Sequence, residues 1–319
     1  MIQALARWIG GIALHWFYSD IRVTDAHRIP RSGPILIAMN HQNALVDALL
    51  AFWIVPRNLR LTGKATIGDT AAGAVLMRMG GVIPLSRASD DPISSGPLRN
   101  RQSFEAMIDE LQHGGAVLLF PEGRSHNDPQ VAPLKTGLAR TALRARHAGV
   151  RGIRIVPIGV TFENKAEPDT AVLAEVAQPL EMDQWAGEDA HRLTDEIAAR
   201  LGAVSLVGDL GANGTRVPAP TAVLRNPLVR LAAWWGGVMH YVPLRLARRR
   251  AMRYSDDPGE PAMYTMTIGL GAILLSYLIE VPVVWYLFGW APALLFLASL
   301  ITGAYWAAYA DHSPERSRR

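Results

Sequence analysis

The chain has 319 residues and a mass of 34.8 kDa, half of it apolar with a mean hydropathy of +0.12, enough for one sizeable domain plus extras or two small ones. It contains no cysteine, which excludes disulfides, thiolate metal sites and cysteine nucleophiles. The net charge of +4 rests on 29 arginines and three lysines that form no aromatic-interleaved basic stripe, so nucleic acid is not the expected partner; arginine clusters beside apolar segments fit an anionic bilayer surface instead.

The N-terminus, "MIQALARWIGGIALHWFYSD", lacks the basic start and cleavage pattern of a secretory signal. Leu5, Trp8, Ile9, Ile12 and Trp16 recur at helical spacing, which suits either a helix in the plane of a membrane or an amphipathic helix packed on a domain. "IRVTD" and "GPILIAMN" follow as strands around a turn, and helical stretches then alternate with the apolar runs "GGVIPLS", "GAVLLF", "IRIVPIGVTF" and "TAVLAEVAQPL". That alternation predicts an α/β domain with buried strands and its active groups in loops at strand ends. "DAHRLTDEIAARL" closes the domain as a polar-faced helix, and the Gly- and Pro-rich stretch from Val207 to Thr221 is a linker.

"NPLVRLAAWWGGVMHYVPLRLARRR" mixes aromatic and apolar residues with arginines and is too interrupted for a span, so it is expected to lie in the interface. From Tyr264 to Ala310 the only charged residue is Glu280. This length fits two membrane passes joined near "FGWAP", or a buried helical hairpin of a soluble domain. Basic flanks at Arg245 to Arg253 and at the C-terminus place both ends, and the rest of the chain, on the cytoplasmic side.

Four blocks carry candidate chemistry. In "NHQNALVD" a histidine that titrates near neutrality, His41, precedes a carboxylate, Asp47, able to fix its tautomer. Six positions on one regular helix would rotate the two about 240° apart, so the pair works only if His41 sits in the turn before the helix; otherwise it is a capped loop. "GGVIPLSR" delivers the Arg87 guanidinium to a sheet edge, where it can grip a phosphate or remain a solvated charge. "LLFPEGRSHNDPQVAPLKTG" makes a sharp turn that presents Glu122 and Arg124 around Gly123, with Lys135 as a second cation. The fourth, "IVPIGV", has no reactive group and reads as a core strand or the wall of an acyl pocket.

In this order the blocks resemble the glycerophospholipid acyltransferase superfamily, over about Ile35 to Val160. Two departures stand out: five residues rather than four separate His41 from Asp47, and "FPEGRS" lacks the usual threonine. Both are similar to the branch that includes eukaryotic membrane-bound glycerol-3-phosphate/dihydroxyacetone-phosphate acyltransferases, and Asn43 and His126 fit that version. The resemblance implies that His41 deprotonates an acceptor hydroxyl and Asp47 holds His41. It also implies that Arg87, Arg124 and Lys135 hold the acceptor phosphate, while Glu122 and Gly123 shape the hydroxyl site. No metal or cofactor is implied; acyl-CoA or acyl-carrier protein is a co-substrate.

The expected fold is therefore α/β, a mixed, mostly parallel sheet flanked by helices, plus a C-terminal transmembrane helical hairpin. The expected divisions are an interfacial helix at 1–20, the acyltransferase domain at 21–205, a linker and interfacial segment at 206–255, and the hairpin with its basic tail at 256–319. The expected function is acyl transfer to 1-acyl-glycerol 3-phosphate or glycerol 3-phosphate at the cytoplasmic face of the inner membrane. The alternatives are an acyltransferase for another lysolipid or an amino-acid-derived lipid, and a non-catalytic lipid-binding membrane protein.

Overall fold

A computed structural model describes residues 2–69, 74, 77, 81–85, 96–126, 130–205, 226–255 and 260–310. In chain order the elements are α1 (Ile2–Phe17), β1 (Tyr18–Thr24), β2 (Ile35–Met39), α2 (Ala44–Ile54), β3 (Arg60–Lys64), β4 (Ile83–Leu85) and α3 (Gly96–Gln112). They continue with β5 (Ala116–Leu119), α4 (Gly137–His147), β6 (Arg154–Phe162), β7 (Thr170–Val176), β8 (Leu180–Glu181) and α5 (Ala190–Val204). Three long helices end the described chain: α6 (Pro227–Tyr254), α7 (Pro261–Phe288) and α8 (Trp290–Ala310).

The strands form one sheet in the order β1-β7-β6-β2-β5-β3-β4, with β8 beside β6. From β6 to β4 every neighbour is parallel; β7 and β8 run antiparallel to β6, and β1 lies parallel to β7. The sheet is thus mixed and mostly parallel. Parallel strands covered on both faces read as unbroken apolar runs, and β2 and β5 are buried at every position.

Alternation along the strands divides the interior in two. Ile35, Ile37 and Met39 of β2, with Leu118 and Val156, meet α1 and α2 in one core. Leu36 and Ala38, with Val117 and Ile155, meet α3, α4 and α5 in the other. The sheet is therefore a layer between two helical layers.

α6, α7 and α8 pack together and against α1. Where α6 crosses α8, Gly236 meets Gly303 backbone to backbone: a Cβ on Gly236 would come within 2.0 Å of the Gly303 carbonyl oxygen. Both α7 and α8 are long and apolar enough to cross a membrane. They form the hairpin of the expected fold, and they leave Leu275, Leu278, Tyr286 and Leu295 exposed. The segment expected in the interface is a single helix, α6, lying along both of them. The linker at Val207 to Thr221, the basic C-terminal tail and Arg87 lie outside the described residues.

Candidate active site

The site grows from the carboxyl end of β2. Asn40 replaces a strand neighbour there: its Nδ2 donates to the Val160 carbonyl at 2.8 Å and its Oδ1 accepts the Val160 N–H at 2.7 Å. This extends the β2–β6 pairing by one side chain and pins the chain as it leaves the sheet. His41 then falls in the turn before α2, as a working pair requires. Its Nδ1 lies 2.9 Å from Asp47 Oδ2.

Asp47 stands in the first turn of α2 and its side chain is fully buried. Its Oδ2 also accepts the Asn43 N–H at 2.8 Å, so one oxygen both closes the turn and orients the imidazole. Phe120, just past β5, stacks on the imidazole at 4.0 Å between centroids and 15° between planes. With Nδ1–H donated to the carboxylate, Nε2 keeps its lone pair. Nε2 has no partner among the described residues, and 15% of the side chain is exposed.

The Phe-Pro-Glu-Gly turn closes on the same spot. Glu122 is buried, and its carboxylate accepts the His41 N–H (2.6 Å), the Ala132 N–H (2.7 Å) and a hydrogen bond from the His126 ring. The His126 N–H in turn donates to the His41 carbonyl at 3.1 Å. Both oxygens of Glu122 are thus engaged by protein, and what Glu122 shapes is the turn that carries His41. Gly123 takes a φ of 75°, and a Cβ there would lie 2.9 Å from Cδ and Nζ of Lys135, whose stem folds over the turn. Arg124 and Lys135 are exposed. Among the described residues neither has an ion-pair partner, which leaves two cations beside this turn.

Two residues outside the four blocks complete the arrangement. Lys165, in the β6–β7 turn, donates from Nζ to the Gln42 carbonyl (2.7 Å) and to the His126 carbonyl (3.2 Å), joining the histidine turn to the Phe-Pro-Glu-Gly loop. Its own carbonyl accepts from Asn43 Nδ2 (3.2 Å) and from the Tyr18 hydroxyl (3.3 Å). Tyr18, the first residue of β1, also accepts from Asn43 Nδ2 at 2.7 Å. Burial, and secondarily the negative charge of Asp47, push the Tyr18 phenol well above its ordinary pKa, so it stays a proton donor. The only sequence signal for Lys165 is its type: it is one of three lysines in an arginine-rich chain, and a compact ammonium suits two convergent carbonyls better than a planar fork.

Residues 20–161 match the acyltransferase family model. That span covers most of the α/β domain, which is similar to acyltransferases of the glycerophospholipid superfamily. Among curated relatives, glycerol-3-phosphate O-acyltransferase 2 of Saccharomyces cerevisiae is 32% identical over 90 residues, 28% of this chain and 12% of that protein. An uncharacterized acyltransferase of Schizosaccharomyces pombe is 22% identical across 54% of this chain and 38% of its own length. The chain thus spans well under half of these relatives. The crystal structure of the 1-acyl-sn-glycerophosphate (LPA) acyltransferase PlsC from Thermotoga maritima aligns with a TM-score of 0.48 at 18% identity, over 62% of this chain and 77% of that one.

Proposed function

We propose that the chain is a membrane-bound O-acyltransferase that moves a fatty acyl group from acyl-CoA or acyl-carrier protein to a hydroxyl of 1-acyl-glycerol 3-phosphate or glycerol 3-phosphate. The observation that carries this reading is the His41–Asp47 pair at the carboxyl edge of the sheet, with Nε2 unengaged. Nε2 takes the acceptor's hydroxyl proton as the oxygen attacks the thioester carbonyl. Asp47 stabilises the imidazolium that forms. The tetrahedral intermediate collapses with cleavage of the C–S bond, and the imidazolium returns its proton to the leaving thiolate. Arg124 and Lys135 flank the turn on which His41 depends and supply charge for the acceptor phosphate, with Arg87 as the third cation.

The exposed apolar faces of α7 and α8 support a membrane location, since an unbroken apolar surface of this size is unfavourable in water. Arginines at 245, 249, 250 and 253 favour the cytoplasmic side of the inner membrane for the α/β domain. The test is thiol release by the full chain in detergent, supplied with acyl-CoA and each acceptor in turn; the protein contributes no thiol of its own. General-base assistance is worth about 100- to 10,000-fold, so His41→Ala should lower kcat within that range while the fold survives. Equal rates for wild type and variant would remove His41 from the chemistry. Activity on an uncharged lysolipid but on neither phosphate acceptor would remove the phosphate site.

A further inference from the structure

Five arginines crowd the end of α6, at 245, 248, 249, 250 and 253, and all but Arg248 are exposed. Arg248 faces the other way. It follows Leu244 by four residues and precedes Ala251 by three, which puts it on the side of α6 that packs inward. Leu244 and Ala247 lie against Gly269 of α7, and Ala247 and Ala251 are buried. The Arg248 side chain is 21% exposed.

What Arg248 meets belongs to the α/β domain. Its guanidinium carbon stands 5.6 Å from the centre of the Phe17 ring, at the end of α1, and its Nη2 donates to Glu167 Oε2 at 3.0 Å. A planar cation can stack on a ring and donate from its edge at once. Among the described residues Glu167 is its one hydrogen-bond partner, and Nη1 is buried without one.

Glu167 and Lys165 share the turn between β6 and β7, and that turn is stiff. The Thr170 hydroxyl lies 2.8 Å from the Asn164 carbonyl and 2.9 Å from the Glu167 carbonyl, and the Ala166 N–H donates to Asn164 Oδ1 at 3.1 Å. Asp169 donates its N–H to the Phe17 carbonyl at 2.8 Å and holds a φ of 62°, a left-handed conformation that persists where the surroundings over-determine it. A displacement of Glu167 is therefore passed to Lys165 rather than absorbed. Lys165 joins the carbonyls of Gln42 and His126, and its own carbonyl receives Asn43, whose N–H is held by Asp47.

We propose that Arg248 is a positioning residue for acyl transfer: from α6 it fixes Glu167, and through the Lys165 turn it sets the loop that carries His41 opposite Asp47. This rests on the acyl-transfer reading above. An ion pair whose carboxylate is 53% exposed contributes little to folding stability. Its effect is on placement, and misplacement of a base is felt in kcat. One helix of the C-terminal bundle is then part of the frame of the active site.

The test is a double-mutant cycle on the full chain in detergent, read as thiol release at saturating acyl-CoA, with the melting temperature measured beside it. Arg248→Met keeps the stem and removes the cation, and Glu167→Gln removes the anion. Each should lower kcat at least about threefold with KM and melting temperature little changed, and the double variant should be no slower than the slower single one. Arg248→Lys, which keeps a charge within reach of Glu167, should fall between wild type and Arg248→Met. An unaltered kcat in Arg248→Met, additive losses in the double variant, or a loss of kcat matched by a fall in melting temperature overturns the positioning role and leaves the acyl-transfer reading intact. Wild-type protein that releases no thiol with any acceptor overturns both.

Discussion

At the level of single residues, the site depends on groups that do not themselves face substrate. Lys165 neutralises two carbonyls, one on each of the loops that must stay in register for His41 and Glu122 to meet. Replacing it with methionine keeps the stem and removes the ammonium. The expected result is a kcat at least about tenfold lower with acceptor KM little changed, since about 1.4 kcal/mol lost from charge-assisted hydrogen bonds is a factor of ten. An arginine at 165 should restore part of the rate. Equal loss in KM and kcat, or an unaltered rate, would assign Lys165 to bulk stability or to nothing.

Tyr18 gives the fold a pH dependence of definite sign. Its phenol is raised above the ordinary value by burial, so the unfolded chain releases this proton first as pH climbs. The stability associated with Tyr18 is complete below about pH 10, the unperturbed phenol pKa, and falls above it. Unfolding midpoints measured between pH 8 and 11 should drop more steeply for wild type than for Tyr18→Phe. Parallel curves would mean that the phenol is not set apart by its surroundings.

Among the elements, the entry to α2 stands out. Between His41 and Asp47, Ala44 adopts a φ of 42°, a left-handed conformation that a side chain makes unfavourable by about 1–2 kcal/mol. Ala44→Gly relieves this at the first residue of α2 and should raise the melting temperature by about 2–4 °C, the shift expected for about 1 kcal/mol in a domain of this size. Ala44→Val should lower it. A neutral or negative effect of glycine would show that the turn is not strained.

The legibility of the sequence follows the same physics. β2, β5 and β6 were readable because strands buried on both faces are unbroken apolar runs, while helix geometry required His41 in the turn before α2 only on condition that it pairs with Asp47. β3, "RLTGK", was not readable: it has two cationic ends and a glycine, and it earns its pairing only from β4 and β5 on either side. Lys165 and Tyr18 were hidden for a different reason. They reach His41's turn through the sheet order β1-β7-β6, which no local pattern encodes. α6 was read as lying in the interface because its arginines interrupt the apolar run. The packing of Gly236 on Gly303 then shows it to be a full partner of the hairpin.

For the whole molecule, the α/β domain and the helical bundle share one interior. Ala262, in the first turn of α7, is fully buried with Leu14 and Phe17 of α1 and the residues of α2 in the same cluster, and Met266 closes over it. Arg248 of α6 reaches back to Glu167 in the turn that carries Lys165, at 3.0 Å. Cutting the chain after α5 would therefore not release a self-sufficient α/β domain. It would strip the cover from a hydrophobic seam and leave an open, sticky face along α1 and α2. α7 is thus also masonry, and a chain without it would need a rebuilt wall behind α1.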